Sequence, residues 1–221
     1  MKIYKLVVFD LDGTLLDTSE GILAAVRFTI NTTGKSMPDP DKLKEYIGPP
    51  IQQSFADTFN ITGNDLDNMA LIFRDRYKDY ELLKAKPYKG IYDLCNNLKN
   101  NSYMLAVATY KREDYAKKLL KHFKFNKYMS VICGADFEGK LTKADIIKKV
   151  ISLANINDCN DVVMIGDTKH DALGAQRLGI DFIGVTYGFG YKASSEVIGN
   201  NIVGIANNTN DIFKILMGEN K

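Results

Sequence analysis

Two carboxylates two residues apart, Asp10 and Asp12, follow directly on the short apolar run Leu6-Val7-Val8-Phe9 and give way to a Gly13-Thr14 turn. The run has the β-branched, all-apolar composition of a strand buried on both faces of a parallel sheet. Acids at the carboxyl end of such a strand stand where open α/β sheets place their ligands. Like charges so close repel without a counter-ion, and a bound divalent cation is the usual remedy. The plain alternative is that both acids merely cap the next helix. That helix has a start signal of its own in Asp17 and Glu20, spaced as a capping box.

Other chemistry-bearing side chains fall at the carboxyl ends of later predicted strands. The strand over 103–108 delivers Thr109, and the strand over 161–165 delivers Gly166-Asp167, with Asp171 one helical turn further on. Lys140 and Lys143 stand just before the helix that follows the strand over 128–133. Asp10 is ionised at neutral pH and can serve as a nucleophile without an activating base. A divalent cation held by Asp10, Asp167 and a backbone carbonyl near Asp12 would offset repulsion between that nucleophile and a phosphate. Thr109 and one lysine would hold the remaining phosphoryl oxygens. Asp12 is placed to protonate the leaving oxygen and then to deprotonate the attacking water. Asp171 is expected to orient the metal shell or the lysine rather than to ligate.

The elements that must position these groups alternate. A helix is predicted over 17–34, with Ile22, Val26 and Ile30 on one face. From 36 to 86 the strand signal vanishes, and Pro38, Pro40, Pro49 and Pro50 punctuate short helical pieces before a longer helix over 64–83. Beyond Pro87 helices alternate with strands over 103–108, 128–133, 161–165, 181–185 and 202–205; the helix after the first of them is read as starting at Lys111. This pattern means βαβ units, a parallel sheet and right-handed crossovers. The expected architecture is α/β, a doubly wound, Rossmann-like catalytic core of residues 1–16 and 86–221, interrupted by a helical cap of residues 17–85.

Taken together, Asp10-Leu11-Asp12-Gly13-Thr14, Thr109, Lys143 and Gly166-Asp167-Thr168-Lys169-His170-Asp171 resemble the four motifs of the haloacid dehalogenase superfamily. Within it the chain is most similar to the phosphoglycolate phosphatase group and the related 5′-nucleotidases. The resemblance implies an obligate Mg²⁺, Asp10 as nucleophile, Asp12 as acid/base and metal contact, and Asp167 as a metal ligand. It selects Lys143 over Lys140, and a second acid at Asp12 favours phosphate chemistry over carbon–halogen cleavage. It also implies a phosphomonoesterase acting on a small phosphorylated metabolite. Alternatives are a 5′-nucleotidase, a sugar phosphomutase sharing every core residue and, more remotely, a phospho-aspartate signalling switch. In the cap, Ile47-Gly48-Pro49-Pro50 is the candidate specificity loop; it carries no arginine to clamp a sugar or a carboxylate.

Composition excludes several classes. Of 221 residues, 29 are basic and 27 acidic, so a net charge of +2 gives no pull toward a nucleic acid polymer or a membrane surface. No apolar run approaches a membrane span. The first strand begins almost at once, which leaves no room for a signal peptide. Cys95, Cys133 and Cys159 are widely spaced among apolar neighbours and read as buried reduced thiols. The expectation is a cytoplasmic protein, monomeric or weakly homodimeric. Gly134 through Lys140 mimics a P-loop, but Leu141 replaces the required Ser/Thr, and Asp136 and Glu138 would set negative charge in the cradle. His170 has no partner at metal spacing, and Tyr187, Phe189 and Tyr191 suggest a mobile loop on the same rim.

Overall fold

The computed structural model describes residues 2–219. The chain forms two compact units, one built from residues up to Leu16 and from Pro87 onward, the other from Asp17–Lys86. In the larger unit β1 (Leu6–Phe9), β4 (Met104–Arg112), β5 (Met129–Ala135), β6 (Val162–Gly166), β7 (Asp181–Val185) and β8 (Ile202–Ala206) form one sheet in the order β5-β4-β1-β6-β7-β8. Every neighbouring pair is parallel. Between the strands run α5 (Ile91–Asn100), α6 (Glu113–His122), α7 (Lys143–Leu153) and α8 (Lys169–Arg177), and α9 (Thr209–Met217) follows β8. Two short segments, β2 (Leu16–Asp17) and β3 (Lys86–Pro87), pair with each other where the chain leaves this unit and returns. The expected doubly wound α/β architecture is what the chain adopts.

The sheet is covered on both faces. Leu6, Val8, Ala106, Ala108, Val162 and Met164 pack in one cluster with Ile146, Ile147 and Val150 of α7 and Ala172 and Ala175 of α8. The alternate residues Val7, Phe9, Leu105, Val107, Val163 and Ile165 are fully buried as well. Each large side chain so buried contributes about 1.5–3 kcal/mol relative to exposure. This is why an uninterrupted apolar run, and not an alternating one, forms β1. From β1 the chain winds outward to β4 and β5, then crosses back to β6, β7 and β8 on the other side. The carboxyl end of β1 is therefore the topological switch point. Asp10 begins there, its N–H donating to the Ile165 carbonyl at 2.9 Å.

The smaller unit is helical, with α1 (Ser19–Thr32), α2 (Pro40–Lys44), α3 (Ile51–Phe59) and α4 (Gly63–Arg76), the last running into a π-helical turn at Tyr77–Glu81. Its centre is aromatic. Fully buried Phe55 meets Tyr46 at 5.3 Å, Phe73 at 6.2 Å and Phe59 at 6.5 Å between ring centres. Gly21 lets α1 approach the π turn, since a Cβ there would lie 2.4 Å from the Glu81 carbonyl oxygen.

Four local expectations are corrected. The capping box expected at Asp17 and Glu20 does not form: Thr18 is the N-cap, and Asp17 instead accepts from the Ser19 N–H and hydroxyl. The predicted helix from Lys111 starts at Glu113, because β4 continues through Arg112. The long helix over 64–83 ends its α-helical part at Arg76, where the backbone widens into the π turn. Cys159 is exposed in a short 3₁₀ turn, while Cys95 and Cys133 are buried.

Candidate active site

Each acid of the expected set is delivered by the end of a buried strand or the first turn of a capped helix. Asp10 leaves β1 and is 6% exposed; Asp167 leaves β6 and is wholly buried. Gly13 adopts φ +84°, and a Cβ there would fall 2.2 Å from an Asp167 carboxylate oxygen. Glycine is what allows the two loops to approach so closely. Asp171 lies on the first turn of α8 as half of a capping box. Its Oδ2 accepts the Thr168 N–H at 3.0 Å and the Thr168 hydroxyl at 2.6 Å. That leaves Oδ1 to face the site. A second capping box, between Thr142 and Asp145, sets Lys143 as the first residue of α7. The Lys143 N–H is held by the Tyr110 hydroxyl at 2.9 Å.

The Lys143 ammonium bridges two carboxylates, lying 2.6 Å from Asp10 Oδ1 and 2.6 Å from Asp171 Oδ1. Carboxylate oxygens of Asp10, Asp167 and Asp171 lie within 4.8 Å of one another. Asp167 Oδ2 also accepts N–H groups from Phe189 at 2.7 Å and Gly190 at 3.0 Å. The loop after β7 is thus tied to the acidic cluster, and a Cβ on Gly190 would sit 2.2 Å from the Asp167 carbonyl oxygen. Thr109 is buried at the carboxyl-end stretch of β4, and its hydroxyl accepts the Lys111 N–H at 3.1 Å. Lys140 is exposed and paired with Glu138, away from the cluster that Lys143 joins.

Three buried carboxylates share one buried lysine. Burial pushes the Asp10 carboxyl up to about 8, opposed by Lys143 and aided by the charges of Asp171, Asp167 and Asp12. The expectation of a carboxylate already ionised at neutral pH is thereby corrected: without a cation the buried group keeps its proton there, and a bound divalent cation would favour the ionised form. Burial likewise raises Asp167, to about 6, with Asp171 adding to the effect and the Gly190 and Phe189 N–H groups resisting it. Burial acts to lower Lys143, but Asp10 and Asp171 outweigh it and hold the ammonium above the ordinary lysine range. The cluster lacks positive charge. All three donors are hard carboxylate oxygens, the donor type that Mg²⁺ takes, so these residues fit a divalent cation.

The expected residues do not all play alike here. Asp171 brings its carboxylate into the cluster beside Asp10 and Asp167, besides orienting Lys143. The Asp12 carboxylate is outside that group and pairs with the Lys111 ammonium at 3.1 Å. Tyr110 and Lys111 are site-forming residues that the sequence reading does not single out, whereas the Gly188-Phe189-Gly190 loop stands on the expected rim and is held there by Asp167. The Gly-x-Gly spacing just past a strand end signalled the loop, and Lys111 was lost to the helix reading. His170 is partly buried with its ring edge-on to Tyr110 at 5.6 Å, and burial lowers its pKa. Among the described residues no helix is long and apolar enough to cross a membrane.

A doubly wound sheet with carboxylates from two strand ends, a third on a following helix and a shared lysine defines a class of hydrolase. The chain belongs to the haloacid dehalogenase-like hydrolases, whose family model matches residues 7–185. It is 35% identical over 188 residues to a 5′-nucleotidase of Pseudomonas aeruginosa, covering 85% of each chain. It is 30% identical over 190 residues to a phosphoglycolate phosphatase of Agrobacterium fabrum, covering 83% of this chain and 81% of that one. A predicted phosphatase from Clostridium acetobutylicum has the same fold, with TM-score 0.89 at 35% identity over 98% of this chain and 99% of that one.

Proposed function

We propose that the chain is a Mg²⁺-dependent phosphomonoesterase that hydrolyses a small phosphorylated metabolite through a phosphoryl group carried on Asp10. The observation that carries the reading is the grouping of the Asp10, Asp167 and Asp171 carboxylates within 4.8 Å, with Lys143 joining Asp10 to Asp171. An Asp10 carboxylate oxygen attacks phosphorus while the bond from phosphorus to the leaving oxygen breaks, and Asp12 gives that oxygen its proton. Asp12 then takes a proton from water. The resulting hydroxide attacks phosphorus, the bond to Asp10 breaks, and inorganic phosphate departs. Thr109 and Lys143 hold phosphoryl oxygens, and Lys143 also fixes the Asp10 rotamer through its 2.6 Å contact. Asp10 and Asp167 would hold Mg²⁺ together with the backbone near Asp12, and Asp171 would serve beside them; the ion supplies positive charge that lowers repulsion between carboxylate and phosphate.

In this reading the helical unit is the candidate cap that selects the leaving group, and the Ile47-Gly48-Pro49-Pro50 turn is its candidate specificity loop. Gly48 takes φ +108° there, a conformation that suits glycine. Phosphoglycolate-type substrates lead. Nucleoside monophosphates are the second reading, favoured by the 35% identity to a 5′-nucleotidase. The test is phosphate release with and without Mg²⁺ from phosphoglycolate, nucleoside monophosphates, sugar phosphates and an aryl phosphate, beside Asp10→Asn. Release that needs both the ion and Asp10 is expected, with the variant down at least about a thousandfold. A folded, Mg²⁺-binding protein that releases phosphate from none of them overturns the proposal.

A further inference from the structure

We infer that Lys111 is a specificity-determining residue that selects substrates whose leaving group carries a second anion close to the scissile oxygen. The inference rests on the phosphatase reading above and goes on to name its substrate class. The Lys111 side chain is 7% exposed, and its Nζ lies 3.1 Å from Asp12 Oδ1. The β4–β5 register slips between Ala108 and Arg112, and the Thr109 hydroxyl takes the Lys111 N–H at 3.1 Å. Irregularities of this kind re-aim side chains beside active sites. Here the kink brings an ammonium to the acid that serves the leaving oxygen.

Proximity follows from that contact. A group that protonates the leaving oxygen must come within hydrogen-bond reach of it, about 3 Å. With Nζ a further 3.1 Å from the Asp12 carboxylate, the ammonium lies roughly 6–8 Å or less from the leaving oxygen once the width of a carboxylate is allowed for. A carboxylate two bonds beyond an ester oxygen, or the departing phosphate of a pyrophosphate, bridges most of that gap. A nucleoside presents only a neutral sugar at the same distance. In a site shielded from water, a positive charge at this range discriminates strongly between an anionic and a neutral leaving group. The two lysines therefore divide the work: Lys143 serves Asp10 and Asp171, and Lys111 serves the leaving side. The cap loop carries no arginine, and Lys111 of the core supplies the cation for an anionic leaving group in its place.

The test compares kcat/KM for phosphoglycolate and for 2-hydroxyethyl phosphate, in which a neutral CH₂OH replaces the carboxylate. Pyrophosphate, AMP and an aryl phosphate are further arms, and Lys111→Met and Lys111→Arg are measured beside the wild type with Mg²⁺ present. Wild type is expected to favour the charged substrate at least about tenfold. The ratio should fall to within about threefold in Lys111→Met and survive largely in Lys111→Arg. The better of phosphoglycolate and pyrophosphate identifies the source of the anion. A counter-ion that served only to hold Asp12 would lower both rates and leave the ratio unchanged, and that result overturns the inference. So does a wild-type ratio near one, or a preference for AMP over both charged substrates, neither of which needs a folded variant. No release from any arm, the aryl phosphate included, overturns the phosphatase reading itself.

Discussion

Buried carboxylates occur in both units of the chain, and they are treated in opposite ways. In the helical unit Glu81 is 1% exposed and meets two cations, Lys84 at 2.6 Å and Arg76, whose Nε donates to it at 2.8 Å. Burial acts to raise its pKa, but Lys84 and Arg76 outweigh burial and hold the carboxyl below its usual range. In the α/β unit Asp10 and Asp171 share Lys143, Asp167 has no ion pair described for it, and Asp10 and Asp167 are raised. Glu81 is satisfied by the chain itself. The site acids are left short of positive charge, a deficit that a divalent cation would fill, and the protein gives up stability to keep them so. A structural acid and a functional one can be told apart by that balance.

The largest effect should come from removing the one cation the cluster has. Lys143→Met leaves buried carboxylates without their partner, and breaking a buried pair in this way costs about 3–5 kcal/mol. Denaturant unfolding of the metal-free protein checks it, and Mg²⁺ should restore part of the loss. A variant as stable as wild type would mean that the cluster holds its protons and has no need of the lysine. Next in size is Glu81→Gln. It strands two cations that are only partly buried, at 29% and 48% exposed, so about 2 kcal/mol is expected. Its thermal shift should not depend on Mg²⁺.

How far this contrast could be read in the sequence depends on the range of the forces involved. The site acids were legible because each follows an apolar run or opens a helix, and a parallel sheet brings all strand ends to one rim. Lys143 was legible because it opens the helix that follows a strand and fits the spacing of the family it resembles. Lys111 was not. Its place depends on a slip of β4 against β5 between Ala108 and Arg112, a long-range event that local helix propensity overrode in the reading. Glu81 was illegible for the same cause: the π turn that buries it forms against Gly21 of α1, which is 60 residues away in sequence. The shared carboxylate cluster also escaped the reading in one respect. Asp171, placed outside the metal group, contributes an oxygen to it because its capping bonds use only the other oxygen.

A third test reverses the sign. The folded chain holds a proton on Asp10 more tightly than the unfolded chain does, with a pKa of about 8 against 3.8. Folding is therefore favoured at low pH, and the advantage is lost as pH rises from about 4 to about 8; Asp167 acts the same way between 3.8 and about 6. Asp10→Asn should make the metal-free protein more stable near pH 8, by about 1–2 kcal/mol, while abolishing turnover. The melting temperature of the metal-free wild type should fall across that window more steeply than that of the variant. Mg²⁺ should raise the wild-type melting temperature more at pH 8 than at pH 5. A variant less stable than wild type at pH 8 would place Asp10 with Glu81, as a structural acid.

The smallest effect belongs to Glu113, whose carboxylate has cations on both sides like that of Glu81 but lies at the surface. Lys117 meets it at 2.6 Å and Lys149 at 2.8 Å, yet its side chain is 27% exposed and both lysines are more exposed still. Burial raises its pKa, and the two lysines with the Gly134 N–H overcome that and bring it down to about 2. Its contribution to folding is therefore present above about pH 4.5 and lost as pH falls toward 2, the opposite direction to Asp10. Because solvent screens such pairs, Glu113→Gln should cost only about 0.5–1 kcal/mol at pH 7. Added salt should shrink that cost, whereas the cost of Glu81→Gln should hardly change with salt. Equal salt sensitivity in the two variants would show that solvent reaches Glu81, and its pairing would then be a surface contact rather than the buried counterpart of the cluster.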